Sequence, residues 1–291
     1  MCGIFGVLNY SGQVCNLMDI VESLGYHSIT RGQDATGVSY IKNNKIEIIK
    51  SPVPSYDFRF DQIYRDSNAY IGHVRLATTG LPALNHNNHP FPSIRRNFAL
   101  AHNGILHNVE QTKKEMGLNI NKIETDTYLA VQILDMYSDI SINTVKRMCE
   151  SVEGDFVFTI LDKNGNIYIA KNNNPITIYD FYNIGIIVYA STKDILTSCI
   201  SEFVELRDDI KQKNFNTLIV KDGDIIKLKF NGTIKKGTFT PKLPDYYAYM
   251  KELDKYDKIY SMPESNLCES CDEDNCDHCE EFKNINKYWW D

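Results

Sequence analysis

The run Gly3-Ile4-Phe5-Gly6-Val7-Leu8 limits the fold more than any other stretch of this 291-residue chain. A short segment that is apolar or glycine throughout reads as a buried strand, and it carries Cys2 at its leading end. A small residue at position 2 lets the initiator methionine be removed. The mature chain would then start with a cysteine bearing both a thiol and a free α-amine. The amine titrates near ~7.7–8.0 and the thiol near ~8.5, so close to neutrality the amine can draw the thiol proton. The thiolate is the reactive form. The competing reading makes Cys2 a small residue buried by accident at the translation start.

Strand and helix signals alternate downstream. Residues 17–25 space Leu17, Ile20, Val21 and Leu24 at helical intervals, with Gly25 closing the helix. Residues 38–50 read as a hairpin turning at Asn43-Asn44, and residues 156–161 and 167–171 flank a second turn at Asn164-Gly165. Residues 69–74 and 97–102 read as strands that each deliver a polar motif at their end. A helix over residues 127–137 sets Leu129, Ile133, Leu134 and Tyr137 on one face. Further strands fall at 185–190, 217–220 and 225–229. The pattern predicts an α+β fold of two antiparallel sheets covered by helices, without internal repeats.

Three motifs carry residue types that an N-terminal nucleophile needs: Thr30-Arg31-Gly32-Gln33-Asp34-Ala35-Thr36-Gly37, Gly72-His73-Val74-Arg75-Leu76-Ala77-Thr78-Thr79-Gly80, and Ala101-His102-Asn103-Gly104 followed by Glu124-Thr125-Asp126-Thr127. In this order behind Cys2, they resemble the glutaminase domain of class II glutamine amidotransferases, a family of N-terminal nucleophile hydrolases. The resemblance covers residues 2–240 and implies a four-layer αββα sandwich. Arg31 to Asp34 and Gly72 to Arg75 look like amidophosphoribosyltransferase. Leu76-Ala77-Thr78 and Asn103-Gly104-Ile105 look equally like glucosamine-6-phosphate synthase, so the branch stays open.

Hydrolysis of a side-chain amide requires attack on its carbonyl, stabilisation of an oxyanion and protonation of the departing ammonia. Cys2 would attack, and the resemblance gives Asn103 and Gly104 the oxyanion hole. An ordinary type I′ turn is the plain alternative for that dipeptide. A guanidinium suits the α-carboxylate of glutamine. Arg75 matches that family position, with Thr78 as helper and Asp126 for the α-ammonium. Arg75 in a surface salt bridge and Asp126 as a helix N-cap are the alternatives. Arg31 and Asp34 are expected to organise the loop near the nucleophile, with Gly32 and Gly37 permitting tight turns. Leu76 stands where the family commonly has an aromatic residue, and Thr79 where the synthase branch has histidine. His73, His86, His89 and His102 lack metal-ligand spacing and read as structural, while Cys15, Cys149 and Cys199 read as buried small hydrophobes.

Net charge is −7, which argues against nucleic acid as a main partner, and no apolar run reaches transmembrane length. The start lacks the basic segment of a signal peptide, so a cytoplasmic protein is expected. Beyond residue 240 a C-terminal extension, 241–291, carries Cys268-Glu269-Ser270-Cys271 and Cys276-Asp277-His278-Cys279. Paired C-x-x-C motifs in a cytosolic chain favour tetrathiolate zinc over disulfides. Cys268, Cys271, Cys276 and Cys279 would form a tight knuckle over 268–279, amid acidic neighbours that attract a cation but repel an anionic thiolate cluster. Tyr288-Trp289-Trp290 reads as an aromatic anchor. The extension is too short for an acceptor domain, so the leading expectation is a glutaminase subunit that needs no organic cofactor and supplies ammonia to a separate synthase. A stand-alone γ-glutamyl amide hydrolase and a non-catalytic glutamine sensor are the alternatives. Retention of the nucleophile and oxyanion hole speaks against the sensor.

Overall fold

In the computed structural model, the described residues are 2–12, 17–118 and 122–242. The chain divides into a first unit, Met1–Leu243, which holds all of them, and a second, Pro244–Asp291, which lies outside them. The four C-terminal cysteines of the expected knuckle, Cys15, and the terminal aromatic residues also fall outside the described residues.

Two antiparallel sheets form the middle of the first unit. The first runs β11 (Asn216–Thr217), β9 (Thr177–Phe181), β10 (Ile186–Ala190), β1 (Gly3–Asn9), β4 (Ala69–Arg75), β2 (Ala35–Lys42) and β3 (Lys45–Ser51). The second runs β13 (Ile234–Thr238), β12 (Asp224–Leu228), β8 (Ile167–Asn172), β7 (Gly154–Asp162), β6 (Phe98–Leu106) and β5 (Phe91–Pro92). Strand alternation assigns each side chain to a layer. On β1, Phe5 and Val7 pack with α1 (Leu17–His27), α5 (Lys193–Glu202) and α6 (Val204–Gln212). Ile4 and Leu8 instead meet Ala99, Ala101, Val157 and Leu161 of the second sheet. The outer face of that sheet buries Phe98, Leu100, Phe156 and Phe158 against α3 (Thr127–Asp135) and α4 (Ile142–Ser151), with α2 (Val109–Met116) at its border. Helix, sheet, sheet and helix form the four layers that the resemblance implies.

Local chemistry explains most boundaries. Asn43 and Asn44 take positive φ at 51° and 58°, so the β2–β3 turn is the left-handed type that asparagine tolerates. Ser141 and Thr144 form a reciprocal capping box at the start of α4. Gly25 does not end α1, which continues to His27. A Cβ at Gly25 would lie 2.5 Å from the Phe60 ring, so the glycine serves close packing between helix and loop. Gly32 and Gly37 make no turns either. Gly32 is extended, with φ −178°, and a Cβ there would lie 2.4 Å from the Arg75 carbonyl carbon. Gly37 lies inside β2, against the His89 carbonyl.

Candidate active site

Antiparallel pairing brings three motifs to one end of the first sheet. Gly3 of β1 pairs with Val74 of β4, and Arg75 pairs with Ala35 of β2. Cys2, Arg75 and Asp34 therefore share one edge. By alternation Cys2 belongs to the face of Ile4 and Leu8, Arg75 to that of Ile71, and Asn103 on β6 to that of Ala99 and Ala101. All three faces meet in the layer between the sheets.

One recess is lined by Cys2, Arg75, Leu76, Thr78, Thr79, His89, His102, Gly104, Thr125, Asp126 and Thr127. It holds about 20 Å³ of free space, room for little more than a water.

Cys2 is half-buried, and its Sγ lies 3.4 Å from both the Leu76 N–H nitrogen and the Leu76 carbonyl oxygen. Burial pushes the thiol pKa up, with the Leu76 N–H and the Arg75 charge countering in part. The thiol thus rests protonated, and a base must take its proton as it reacts. Arg31 Nε donates to the Cys2 carbonyl at 3.2 Å. Asp34 accepts the Ala77 N–H at 2.7 Å, which ties the start of the Leu76–Gly80 segment to β2.

Arg75 is 2% exposed. Its Nη1 donates to Asn88 Oδ1 at 2.7 Å, and its Nη2 donates to the Thr79 and Gly80 carbonyls. It is no surface salt bridge. Nε and one Nη1 proton remain for another acceptor. Asp126 does cap α3, accepting the Thr127 N–H at 2.7 Å, and it also accepts the Leu106 N–H at 2.8 Å. Capping and a place in the recess are thus compatible at this residue.

Asn103 and Gly104 are not a turn. Both lie within β6, paired with Val157 and Phe156 of β7. Gly104 has φ +150°, and a Cβ there would lie 1.9 Å from the Asp155 carbonyl oxygen and 2.7 Å from His102 Nε2, so only glycine fits. The Asn103 side chain is buried, and neither its Oδ1 nor its Nδ2 has a hydrogen-bond partner. An orphaned buried amide is costly for stability; Asn103 does not itself line the recess, whereas its neighbour Gly104 does.

Three histidines that the sequence scatters converge at the recess, His89 and His102 in its lining and His73 beside them. His89 Nε2 and His102 Nδ1 each lie 2.9 Å from Thr127 Oγ1, and His73 Nε2 lies 3.0 Å from the His102 carbonyl, to which it donates. Burial pushes His73 down to about 3 and lowers His89 and His102 as well, so all three are neutral at pH 7. Sequence reasoning missed this grouping, together with Thr125, Thr127 and Asn88. The doubled asparagine before His89-Pro90 was the one available signal. Among the described residues, no group of three or more His, Cys, Asp or Glu is placed to hold a metal. No helix there is long and apolar enough to cross a membrane.

Comparison with known proteins gives consistent matches. The profile of the class-II glutamine amidotransferases matches residues 5–161. Glutamine–fructose-6-phosphate aminotransferase (isomerizing) of Staphylococcus aureus is 31% identical over 234 residues, 77% of this chain and 38% of that protein. Its namesake in Staphylococcus epidermidis is 29% identical over 275 residues, 90% of this chain and 43% of that protein. The chain therefore spans about two fifths of the length of these curated relatives. Among solved structures, an allosteric regulatory enzyme of purine biosynthesis superposes with a TM-score of 0.65 at 20% identity, covering 83% of this chain and 50% of that one. Glutamine phosphoribosylpyrophosphate amidotransferase from B. subtilis, complexed with ADP and GMP, gives 0.62 at 21% identity with the same coverage. At such identities the structural likeness speaks to the fold.

Proposed function

This chain belongs to the class II glutamine amidotransferases, and we propose that it hydrolyses the side-chain amide of glutamine through a thioester on Cys2, yielding glutamate and ammonia. The observation that carries the reading is that the Cys2 thiol and the Arg75 guanidinium line one recess with Gly104, the unpartnered, buried Asn103 amide being the next residue along β6.

With Met1 removed, the Cys2 α-amine takes the thiol proton as Sγ attacks the amide carbonyl. The oxyanion is held by the Asn103 side-chain N–H and the Gly104 backbone N–H. The same amine then protonates the leaving nitrogen, the C–N bond breaks, and ammonia departs. Water, deprotonated by the amine, attacks the thioester, which releases glutamate and restores the thiol. Arg75 and Thr78 bind the α-carboxylate and Asp126 the α-ammonium, while Arg31 and Asp34 organise the nucleophile's surroundings. These steps use side chains and backbone only.

The ammonia goes, in this proposal, to a separate acceptor protein. Support comes from large apolar residues left exposed on the loop after Arg75 and at the end of β6: Leu76, Leu81, Leu84 and Ile105. Apolar side chains exposed beside a catalytic recess suit a docking surface. The phosphorylated sugars implied by the relatives' names are the first acceptor class to try. A cytoplasmic location belongs to the same proposal. So does a structural zinc on Cys268, Cys271, Cys276 and Cys279, supported by their spacing.

The test is covalent trapping with a γ-diazoketone analogue of glutamine, read by intact mass and peptide mapping. A single adduct on Cys2 is expected. Turnover of glutamine with the adduct on another residue would overturn the mechanism.

A further inference from the structure

We propose that Lys50 is a positioning residue for the carboxylate clamp: its ammonium fixes the Asn88 carbonyl, and Asn88 in turn aims the Arg75 guanidinium at the substrate. The proposal rests on the glutamine reading above and extends it to a residue outside the recess.

Lys50 lies on β3 opposite Gly37 of β2. A Cβ at Gly37 would lie 2.7 Å from the Lys50 Cβ and 2.2 Å from the His89 carbonyl oxygen. The missing side chain thus lets the lysine stem and the 88–90 segment pack together. Lys50 Nζ donates to the Asn88 carbonyl and, at 3.2 Å, to the Pro90 carbonyl, and it sits 4.7 Å from the centre of the Phe91 ring. Its partners are carbonyl groups and a π face, with no carboxylate within 4 Å among the described residues.

Asn88 is fully buried, and its side chain is committed on every side. Oδ1 accepts from Arg75 at 2.7 Å, and Nδ2 donates to the Pro82 carbonyl at 2.8 Å and to Asn85 Oδ1 at 3.2 Å. Asn85 Nδ2 closes the ring by donating to the Lys50 carbonyl at 2.8 Å. Asn88 cannot turn without breaking the bond that orients Arg75. The arrangement also sets two cations near one another. Burial, followed by the Arg75 charge, pulls the Lys50 pKa down to about 8. A purely structural cross-link has no need of a cation there, since a neutral donor would hold the same carbonyls. An incoming carboxylate relieves the repulsion, which makes the pair an anion-directed device.

The experiment compares wild type with Lys50→Met on two substrates: glutamine, and 4-aminobutanamide, which is glutamine without its α-carboxylate. Loss of a charge-assisted hydrogen bond predicts a glutamine KM raised on the order of tenfold. The kcat for glutamine should change by less than about threefold, and kcat/KM for 4-aminobutanamide should match wild type. Lys50→Leu, which likewise removes the donor, carries the same prediction should the methionine variant fail to fold. An unchanged glutamine KM, or an equal loss on both substrates, overturns the proposal. If wild type shows no Cys2-dependent turnover of glutamine, the glutamine reading itself fails, and this proposal with it.

Discussion

Replacing Asn103 by leucine separates catalysis from stability with unusual clarity. The Asn103 amide is 1% exposed and neither polar atom has a partner. Its desolvation is uncompensated, at about 1–3 kcal/mol for the amide. Leucine keeps the branched outline, with two bulkier methyl groups in place of Oδ1 and Nδ2, and its apolar surface suits the neighbouring inter-sheet faces of Ala101 and Val157. The backbone carbonyl of Asn103, which accepts from Asn174 Nδ2 at 3.0 Å, is untouched. Asn103→Leu should therefore raise stability by about 1–3 kcal/mol, or roughly 2–10 °C in Tm for a domain of this size. The same change removes one oxyanion donor, a loss worth on the order of 10²–10³ in kcat. The assays are thermal unfolding and glutamate release at saturating glutamine. A more stable, nearly inactive protein is the expected outcome. Unchanged kcat, or a Tm lowered by several degrees, would refute the assignment and make Asn103 a structural residue.

Other perturbations test other parts of the account. Arg75→Lys should raise the glutamine KM at least on the order of tenfold, because one ammonium cannot serve Asn88, Thr79, Gly80 and a carboxylate together; an unchanged KM would remove Arg75 from the binding site. His73, His89 and His102 have folded pKa values below the unfolded value near ~6.5. Above that pH they are neutral in both states, and below it only the unfolded chain takes up protons. Stability should then fall with decreasing pH between about 6.5 and 5, by at most roughly 4 kcal/mol per unit for the three together; unfolding free energy flat across that window would contradict the neutral cluster. Gly25→Ala gains about 1 kcal/mol in helix propensity but drives a methyl into Phe60, a buried ring stacked edge-on against Phe58. Overpacking of about 1–3 kcal/mol should win, and a Tm at or above wild type would show that Phe60 can yield.

What could be read from the chain was whatever has a local cause. The β2–β3 turn follows from Asn43-Asn44, and the burial of β1 follows from its run of apolar residues. Cys2, Arg75 and Asp126 stand out because they sit in contiguous motifs, and the fold brings the three to one recess. Short helices escaped detection, although α4 spaces Ile142, Val145, Met148 and Cys149 at helical intervals behind its Ser141–Thr144 capping box, and α5 does the same with Ile195, Leu196, Cys199 and Ile200 behind the Thr192 N-cap. Glycines were misread where their cause is tertiary. Gly25, Gly32 and Gly37 make way for Phe60, Arg75 and His89, contacts that no local pattern encodes. The histidine cluster and the Lys50–Asn88–Arg75 chain were illegible for the same reason, since each joins residues from separate strands and loops.

The central claim is that Cys2 hydrolyses glutamine. It is tested most directly by glutamate release from the purified full chain, with Met1 removal verified by intact mass, alongside Cys2→Ser. Turnover in the wild type that disappears in the variant is the predicted result. Glutamate release that survives Cys2→Ser would contradict the account.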